Sequence, residues 1–462
     1  MQQRDDSLDA LRGLAILAMV LSSSIAFGIL PAWMYHAQEP PPTHIYRPEL
    51  PGISWVDLVF PFFLFSMGAA IPLALNKKRK EEAGWGALLS IAVRRYLLLV
   101  FFALFTMHAR SAVVTPTGWL LQLGAFALLC FMLYKPVATL RAKIWVVIRI
   151  LAFIAAALMM YLMPLKSGKG FSLFRSDIII LVLANMAFFA TIIWWCTKDN
   201  PWRRIGLLPF IMAILLGAGI TGSLNEAVFQ WSPLPWMYKC YYLKYLFLLI
   251  PGTFAGEWIL IHAAGNVPNA SGLASAGNFG ALAGLAPLLS FTLIVTNVIF
   301  LFSRQLLLNM GVTVAISLLL FQLLRSNALL FRFFKAGVYL LLLGFFFEAY
   351  EGGIKKDPST FSYYFVTAGL AFFMLITLYG CQLTGVAKGI LRYLSLHGRN
   401  PMVAYVTGNL LLLPLLRLSG AITYYTGMQS NIAGGFLSGV LFTGIVSGVT
   451  VFFTKRKWLW KT

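Results

Sequence analysis

Long uninterrupted apolar runs recur from one end of the sequence to the other, and they restrict the possible folds more than any other feature. Each run is close to the ~20 residues that an α-helix needs to cross a bilayer core of about 30 Å. The chain has 462 residues, of which 60% are hydrophobic and only 11% are charged. A transmembrane β-barrel would instead show alternating segments of roughly ten residues. The sequence therefore predicts an all-α fold, a polytopic integral membrane helical bundle of about 12–14 transmembrane helices.

The apolar runs divide the chain into about fourteen predicted spans, with ends placed to within ~2–4 residues. The connections between them are short, so residues 1–462 are predicted to form a single transmembrane domain. The region 303–328 fits either one helical hairpin or a broken helix. The predicted spans are 9–29, 54–75, 91–109, 116–134, 143–163, 177–196, 205–223, 242–264, 281–302, 305–324, 328–349, 363–385, 401–418 and 433–453.

The charge distribution predicts how the chain is oriented. The formal net charge is +21, which in a soluble protein would suggest a nucleic-acid partner. Here the basic residues cluster in short loops beside apolar runs, so we expect contact with anionic lipid headgroups and no nucleic acid. The positive-inside rule then places both termini in the cytoplasm and the loop 30–53 outside. The basic residues on the cytoplasmic side include Arg94, Arg95, Arg203, Arg204, Lys388, Arg392, Lys455, Arg456 and Lys457.

The cysteines and histidines do not have the spacing of a metal site. The four cysteines, at positions 130, 196, 240 and 381, are scattered, and none forms a CxxC pair. His36 and His44 lie in a proline-rich loop at a spacing that is not typical of zinc ligands. We therefore predict neither disulfides nor a bound metal.

The loop that carries the two histidines is the strongest candidate for chemistry, because titratable groups held beside a bilayer are usually functional. His36 and His44 belong to a segment that its prolines stiffen, and Asp57 follows at the start of the second predicted span. A carboxylate there is favoured by the helix dipole, and it can also orient an imidazole from the preceding loop. These two roles do not exclude each other. We predict that His44, His36 and Asp57 are catalytic, with His108 at the outer end of the third span as a further titratable group.

Two basic positions on the predicted cytoplasmic side are candidates for anion binding. Asp9 and Arg12 are three residues apart and therefore share one helix face. They form either an interfacial ion pair or a clamp for a phosphate-bearing cofactor, since guanidinium groups bind phosphate in a directed way. Further along, Asn400 and Pro401 have the pattern of a helix start, which would place Arg399 close to a helix N-terminus. Asp9, Arg12, Arg399 and Asn400 are therefore the predicted cofactor-binding residues.

Three motifs resemble one known family. They are Asp9-x-x-Arg12-Gly13-Leu14, the stretch from Gly52 to Gly68 with the pattern GxSxxDLVFPxFLFxxG, and the short pair Gly398-x-Asn400 and Tyr405-Val406. In these motifs the chain resembles the transmembrane acyltransferases that include heparan-α-glucosaminide N-acetyltransferase and its bacterial relatives. The resemblance is carried by the first ~75 residues and by the region near 398–406.

The resemblance implies that an acetyl group from cytoplasmic acetyl-CoA passes to an amino sugar on the other side of the membrane. In this family a histidine just upstream of the DLVFP motif serves as a covalent carrier or as a general base. His44 is the nearest match and His36 is the second candidate, because His44 lies further from Gly52 than the family pattern has it. Ser23, Gly408 and Asn409 also differ from the family, which leaves the acceptor open.

Other functions fit the same residues. A transporter of sugars or muropeptides also has many spans, although we find no pair of discontinuous helices repeated in two halves. A polysaccharide O-acetyltransferase would use the same chemistry on another acceptor. For the leading hypothesis, an acetyl-CoA-dependent N-acetyltransferase, we expect membrane lipids, acyl-CoA and an amino sugar or glycan as partners, with a homodimer as one arrangement of the chain.

Overall fold

The computed structural model of the chain describes residues 6–81, 84–134, 142–168, 170–265 and 279–460. Helices account for nearly all regular structure in these ranges, which contain no strand beyond two isolated bridges, so the all-α prediction is confirmed. The α-helices are α1 (Asp6–Ser24), α2 (Val56–Lys80), α3 (Trp85–Arg110), α4 (Pro116–Leu133), α5 (Ala142–Leu162), α6 (Ile178–Cys196), α7 (Pro201–Leu216), α8 (Leu224–Gln230), α9 (Leu246–Ala263), α10 (Phe279–Phe302), α11 (Leu306–Leu324), α12 (Ala328–Glu351), α13 (Phe361–Thr384), α14 (Lys388–Gly398), α15 (Pro401–Thr407), α16 (Leu413–Leu418), α17 (Ile422–Met428) and α18 (Ile432–Lys455).

Within the described ranges, 13 helices are long and apolar enough to span a membrane. This number lies inside the predicted range, and the protein is a polytopic helical membrane protein. The predicted span 205–223 is the exception, because its place is taken by α7, which has 16 residues and contains Pro209. A helix of that length covers only ~24 Å. Both termini lie on the same side of the membrane only if the number of spans is even. With 13 candidate spans, this requires α7 to cross the membrane as well, so the location of the termini stays a prediction.

The region 303–328 contains α11 and the two short joints that connect it to α10 and α12, so it is not one broken helix. The joint between α10 and α11 contains Arg304, whose backbone has the left-handed conformation with φ 61°. A left-handed residue ends a right-handed helix because the next residues leave its axis. The chain therefore turns sharply there, and α12 starts at Ala328 after a second short joint.

The described residues divide into two compact units, each built from two stretches of chain. Unit 1 comprises Met1–Glu81 and Tyr245–Gly398, and unit 2 comprises Glu82–Lys244 and Arg399–Thr462. The single transmembrane domain predicted over residues 1–462 stays a prediction.

Unit 1 is packed around α13, the most buried of the candidate spans. In its apolar window 89% of the residues are buried inside the protein. Side chains of α13 pack against several other helices. The ring of Phe372, for example, contacts Phe65 of α2 and Phe333 of α12. Apolarity alone does not bury a helix in a membrane protein, since the more apolar α5 has only 17% of its window buried, so the central position of α13 depends on these contacts between helices.

Glycines of the recognised motifs lie where helices of unit 1 touch. A β-carbon on Gly68 of α2 would overlap the carbonyl of Leu249 in α9, and one on Gly13 of α1 would overlap the carbonyl of Leu394 in α14. Gly398 faces the carbonyl of Asp9 in the same contact between α1 and α14. In membranes, small residues let helix backbones approach closely and gain dispersion contacts. The glycines of these motifs therefore serve the close packing of helices.

We expect Gly68→Ala to lower the free energy of unfolding by about 1–3 kcal/mol, because the added methyl group must push α2 away from α9. Gly311→Ala is the matched control, since nothing lies within 4 Å of a β-carbon at that position of α11. The thermal unfolding midpoint in detergent measures both. Equal midpoints for the two variants would contradict the close contact.

Candidate functional site

The start of α2 is built around a buried carboxylate. Asp57 Oδ2 accepts hydrogen bonds from Ser54 N at 2.9 Å and from Ser54 Oγ at 3.3 Å, while Asp57 N donates to Ser54 O at 3.1 Å. A hydroxyl residue followed three positions later by an acid is the arrangement of a capping box, which satisfies free N–H groups at a helix start. The helix-start role that the sequence assigned to Asp57 is therefore present in the structure.

The same carboxylate holds His36 from the preceding loop. His36 Nδ1 lies 2.6 Å from Asp57 Oδ1, and Ala37 N donates to Asp57 Oδ2 at 3.3 Å. The side chain of Asp57 is fully buried, whereas that of His36 is 33% exposed. An ionised carboxylate accepts hydrogen bonds but donates none, so Nδ1 of His36 carries the proton in this contact. Nε2 then carries the lone pair.

Lys356 completes the cluster from the segment between α12 and α13. Its Nζ lies 3.1 Å from His36 Nδ1 and 3.2 Å from Nε2. The segment is fixed close by, since Gly52 N donates to Ile354 O at 2.8 Å and Tyr363 Oη donates to the Asp57 carbonyl at 2.7 Å. We call His36, Asp57 and Lys356 the His36 cluster. The ammonium group offsets the negative charge of the buried carboxylate.

His44 occupies a different position in the same loop. Its ring stacks on Phe27 with a centroid distance of 3.7 Å and meets the edge of Tyr35 at 4.5 Å. Both ring nitrogens are buried and have no hydrogen-bond partner among the described residues. Asp57, which was expected to orient His44 or His36, therefore contacts His36.

The loop geometry explains this choice between the histidines. Gln38 is buried, and its Nε2 donates to Leu50 O at 3.0 Å and to Gly52 O at 3.1 Å. Arg47 N returns a hydrogen bond to Gln38 O at 2.9 Å, which closes the segment between them into a loop. Position 36 is thereby held beside the start of α2, and position 44 lies within the closed segment.

The pair Asp9 and Arg12 lies at the opposite end of unit 1, at the start of α1. Arg12 Nη1 is 3.5 Å from Asp9 Oδ1 and donates to Gly398 O at 3.3 Å, while Nη2 donates to Ser66 O at 3.2 Å. The guanidinium group therefore ties α1 to two other helices. Of the two predicted alternatives for Asp9 and Arg12, these contacts match the ion pair.

Next to this pair is a cavity of about 670 Å³. Most of its lining is apolar, and Asn327 and Gln382 add amide groups. Its charged lining combines the acids Asp6 and Asp9 with Arg12 and His262, so it has no excess of cationic groups for a diphosphate. A phosphate-binding role for Asp9 and Arg12 is not supported by this donor set and stays a prediction.

Arg399 and Asn400 belong to unit 2, where Asn400 has a structural task. Asn400 precedes Pro401 at the start of α15, as the sequence predicts, but its side chain does not cap the helix. Instead Nδ2 donates to Trp458 O at 2.9 Å and Oδ1 accepts from Trp460 N at 3.2 Å. The buried amide thus fastens the chain after α18, and Arg399 beside it is half-buried.

Unit 2 also contains a polar cluster that the sequence did not reveal. Asp177 Oδ2 accepts from Arg110 Nη1 at 3.0 Å and from Tyr405 Oη at 2.7 Å, while Oδ1 caps α6 by accepting from Ile179 N at 3.1 Å. Tyr405 belongs to a motif of the resemblance, and Asp177 opens an apolar run as Asp57 does. His108 lies near this end of α3, buried, with Nδ1 2.8 Å from Leu104 O.

Sequence reasoning also missed Lys356 and Tyr363. Both lie about 300 residues from the histidine loop along the chain, so no local pattern connects them with it. The local signal for Lys356 was the adjacent pair Lys355 and Lys356 in a short connection between two predicted spans. Among the described residues, no group of three or more His, Cys, Asp or Glu side chains is arranged to hold a metal ion.

We expect Asn400→Ala to lower the free energy of unfolding by about 1–3 kcal/mol, because the part-buried carbonyl of Trp458 and the buried N–H of Trp460 lose their partner. Gln230→Ala removes an exposed amide whose one partner among the described residues is Glu226, and it should change the thermal midpoint little. Similar midpoints for the two variants would mean that Asn400 does not fasten the chain end.

Comparison with known proteins gives one family. A family model described as a domain of unknown function (DUF5009) matches residues 4–259, which is more than half of the chain. This range contains His36 and Asp57 and ends before Lys356. No curated protein matches the chain.

Proposed function

We propose that this chain, which belongs to the DUF5009 family, is a membrane acyltransferase with His36 as its working imidazole. It transfers an acetyl or other acyl group from acyl-CoA to an amino sugar or glycan on the opposite side of the membrane. The observation that carries the proposal is the 2.6 Å contact between His36 Nδ1 and the buried carboxylate of Asp57. The resemblance of the Gly52–Gly68 motif to transmembrane acyltransferases supports the reaction class.

The orientation of His36 suits proton transfer or nucleophilic attack. A carboxylate that accepts from Nδ1 fixes the tautomer and stabilises the imidazolium form. As a general base, Nε2 takes a proton from the acceptor's amine or hydroxyl while that group attacks the carbonyl carbon of the acyl group. The carbonyl carbon loses its bond to the thiol sulfur of the donor, and His36 returns the proton to that sulfur.

The covalent route uses the same atom. Nε2 attacks the acyl carbon, the donor's thiolate leaves, and the acyl group rests on His36 until the acceptor attacks it. In both routes negative charge grows on the carbonyl oxygen next to Nε2. The ammonium of Lys356, 3.2 Å from Nε2, lies close enough to stabilise that charge.

The donor would supply the acyl group and a thiol as leaving group. The cavity beside Asp9 and Arg12 lies next to Ala70 of α2, 13 residues after Asp57 and therefore ~20 Å along the helix. Donor binding at one end of unit 1 and acceptor binding at the other is compatible with transfer across a membrane. The inner membrane of a cell is the proposed location, with acetyl-CoA on the cytoplasmic side.

We expect His36→Ala to reduce acyl transfer by about 100-fold or more, the usual contribution of a positioned acid–base group. His44→Ala should keep most of the activity, because its ring stacks on Phe27 and does not touch Asp57. Purified protein is incubated with radiolabelled acetyl-CoA and a panel of amino sugars, and unchanged gel-filtration profiles confirm folded variants. Loss with His44→Ala and retention with His36→Ala would overturn the assignment.

We expect Lys356→Met to lower kcat by about tenfold to 100-fold, because a cation next to the developing oxyanion is lost. Lys355→Met is the matched control, as it removes the neighbouring ammonium, which does not contact His36. Initial rates with labelled acetyl-CoA give kcat and KM for both. A change in KM alone would assign Lys356 to binding.

Two further measurements separate the alternatives. Uptake of sugars or muropeptides by proteoliposomes that contain no CoA would favour a transporter, since acyl transfer cannot drive it. Mass spectrometry of the envelope glycans in a deletion strain distinguishes N-acetylation from O-acetylation.

A further inference from the structure

The ammonium group of Lys356 is directed at the ring of His36. Its Nζ lies 3.1 Å from Nδ1 and 3.2 Å from Nε2, whereas its one ion pair among the described residues is with Asp357 Oδ2, at 4.0 Å. Nδ1 donates its proton to Asp57, and an ammonium group has donors only. The lone pair of Nε2 is therefore the acceptor that Lys356 meets on this ring.

The backbone next to Lys356 is fixed, and the two side chains remain accessible. Lys355 N donates to Thr360 Oγ1 at 3.1 Å, and Thr360 N returns a hydrogen bond to Lys355 O at 3.0 Å. The side chain of Lys356 is 26% exposed and that of His36 is 33% exposed. A small reactant can therefore reach both groups while they stay in contact.

The nitrogen of Lys356 lies at the place that the proposed mechanism assigns to the acceptor. A general base takes a proton from a group within about 2.6–3.2 Å of its lone pair. Lys356 Nζ is 3.2 Å from Nε2, and it is a primary amine like the amino group of an amino sugar. A nucleophile that the protein already holds also reacts readily, because no entropy of association is lost. Lys356 is therefore a competitor of the acceptor for the acyl group.

We propose that Lys356 is acylated by its own site when no acceptor is bound and that this modification inhibits transfer. The inference rests on the proposed acyltransferase function. His36 Nε2 takes one proton from the Lys356 ammonium, and the resulting amine attacks the carbonyl carbon of the acyl donor. The new C–N bond forms, and the C–S bond to the donor's thiol breaks. The imidazolium gives its proton to the leaving thiolate, and the nitrogen of Lys356 loses a second proton to water.

The product of this step accounts for the inhibition. Acylation of a lysine removes its charge, so Lys356 no longer offers a cation to the carbonyl oxygen on which negative charge grows. The acylated side chain also occupies the space next to Nε2. Consumption of the acyl donor therefore slows when the acceptor is scarce.

Peptide mass spectrometry tests the modification. The purified full chain is incubated with acetyl-CoA and no acceptor, and acetylation is followed at Lys356 and at its half-buried neighbour Lys355. Lys356 should be acetylated at least about tenfold faster than Lys355, and His36→Ala should reduce its rate to that of Lys355. Equal rates at the two lysines, or an unchanged rate at Lys356 in His36→Ala, would overturn the proposal.

The same samples distinguish this proposal from the proposed function. Transfer of label to an amino sugar of the panel without acetylation at Lys356 would overturn the self-acylation alone. Absence of both reactions would overturn the acyltransferase function and this inference with it.

Preincubation with acetyl-CoA alone tests the inhibition. Acetylation at Lys356 should lower the transfer rate by about tenfold to 100-fold, and the amino sugar that accepts label should protect both the rate and the lysine. Lys356→Arg keeps a cation that this reaction does not acylate, so the rate of that variant should not fall during preincubation. An equal fall in Lys356→Arg, or no protection by the amino sugar, would overturn the inhibitory role.

Discussion

The buried carboxylate of Asp57 is the interaction on which the arrangement around the histidine loop depends. It closes the start of α2 through Ser54, holds the backbone of Ala37, and orients the ring of His36. A carboxylate out of water costs several kcal/mol unless its oxygens are paired and hydrogen-bonded. The loop, the helix start and the segment that carries Lys356 all supply such partners. One carboxylate therefore both closes the helix start and holds the ring of His36, the two contacts that the sequence predicted for it.

The recognised motifs combine packing with chemistry. Gly13, Gly68 and Gly398 allow helix backbones to touch, and Arg12 ties α1 to neighbouring carbonyls. Asn400 fastens the end of the chain, and Tyr405 bonds the acid that caps α6. In these motifs Asp57 is the residue that contacts a titratable loop side chain. A motif match in a membrane protein thus reports first on how its helices pack, and the chemical role must be argued from individual contacts.

Unit 2 presents a different use of polar groups at membrane depth. Asn185 and Tyr96 would be costly inside hydrocarbon if they lacked partners. Both are satisfied by the carbonyl of Met237, so an irregular segment and two intramembrane side chains stabilise each other. This pairing holds the segment that contains Met237 against α3 and α6.

The sequence by itself determined the helical membrane fold, nearly all of the spans, and the importance of the loop before α2. The length of an apolar run is a local property of the sequence, so spans can be predicted without knowledge of the fold. The exception is α7, whose helix ends before the predicted apolar run does. The sequence also singled out His36, His44 and Asp57 as candidates. Only the tertiary structure decided that Asp57 contacts His36, because that choice depends on how Gln38 closes the loop. It also brought Lys356 to the same point, since contacts across about 300 residues leave no periodic pattern in the chain.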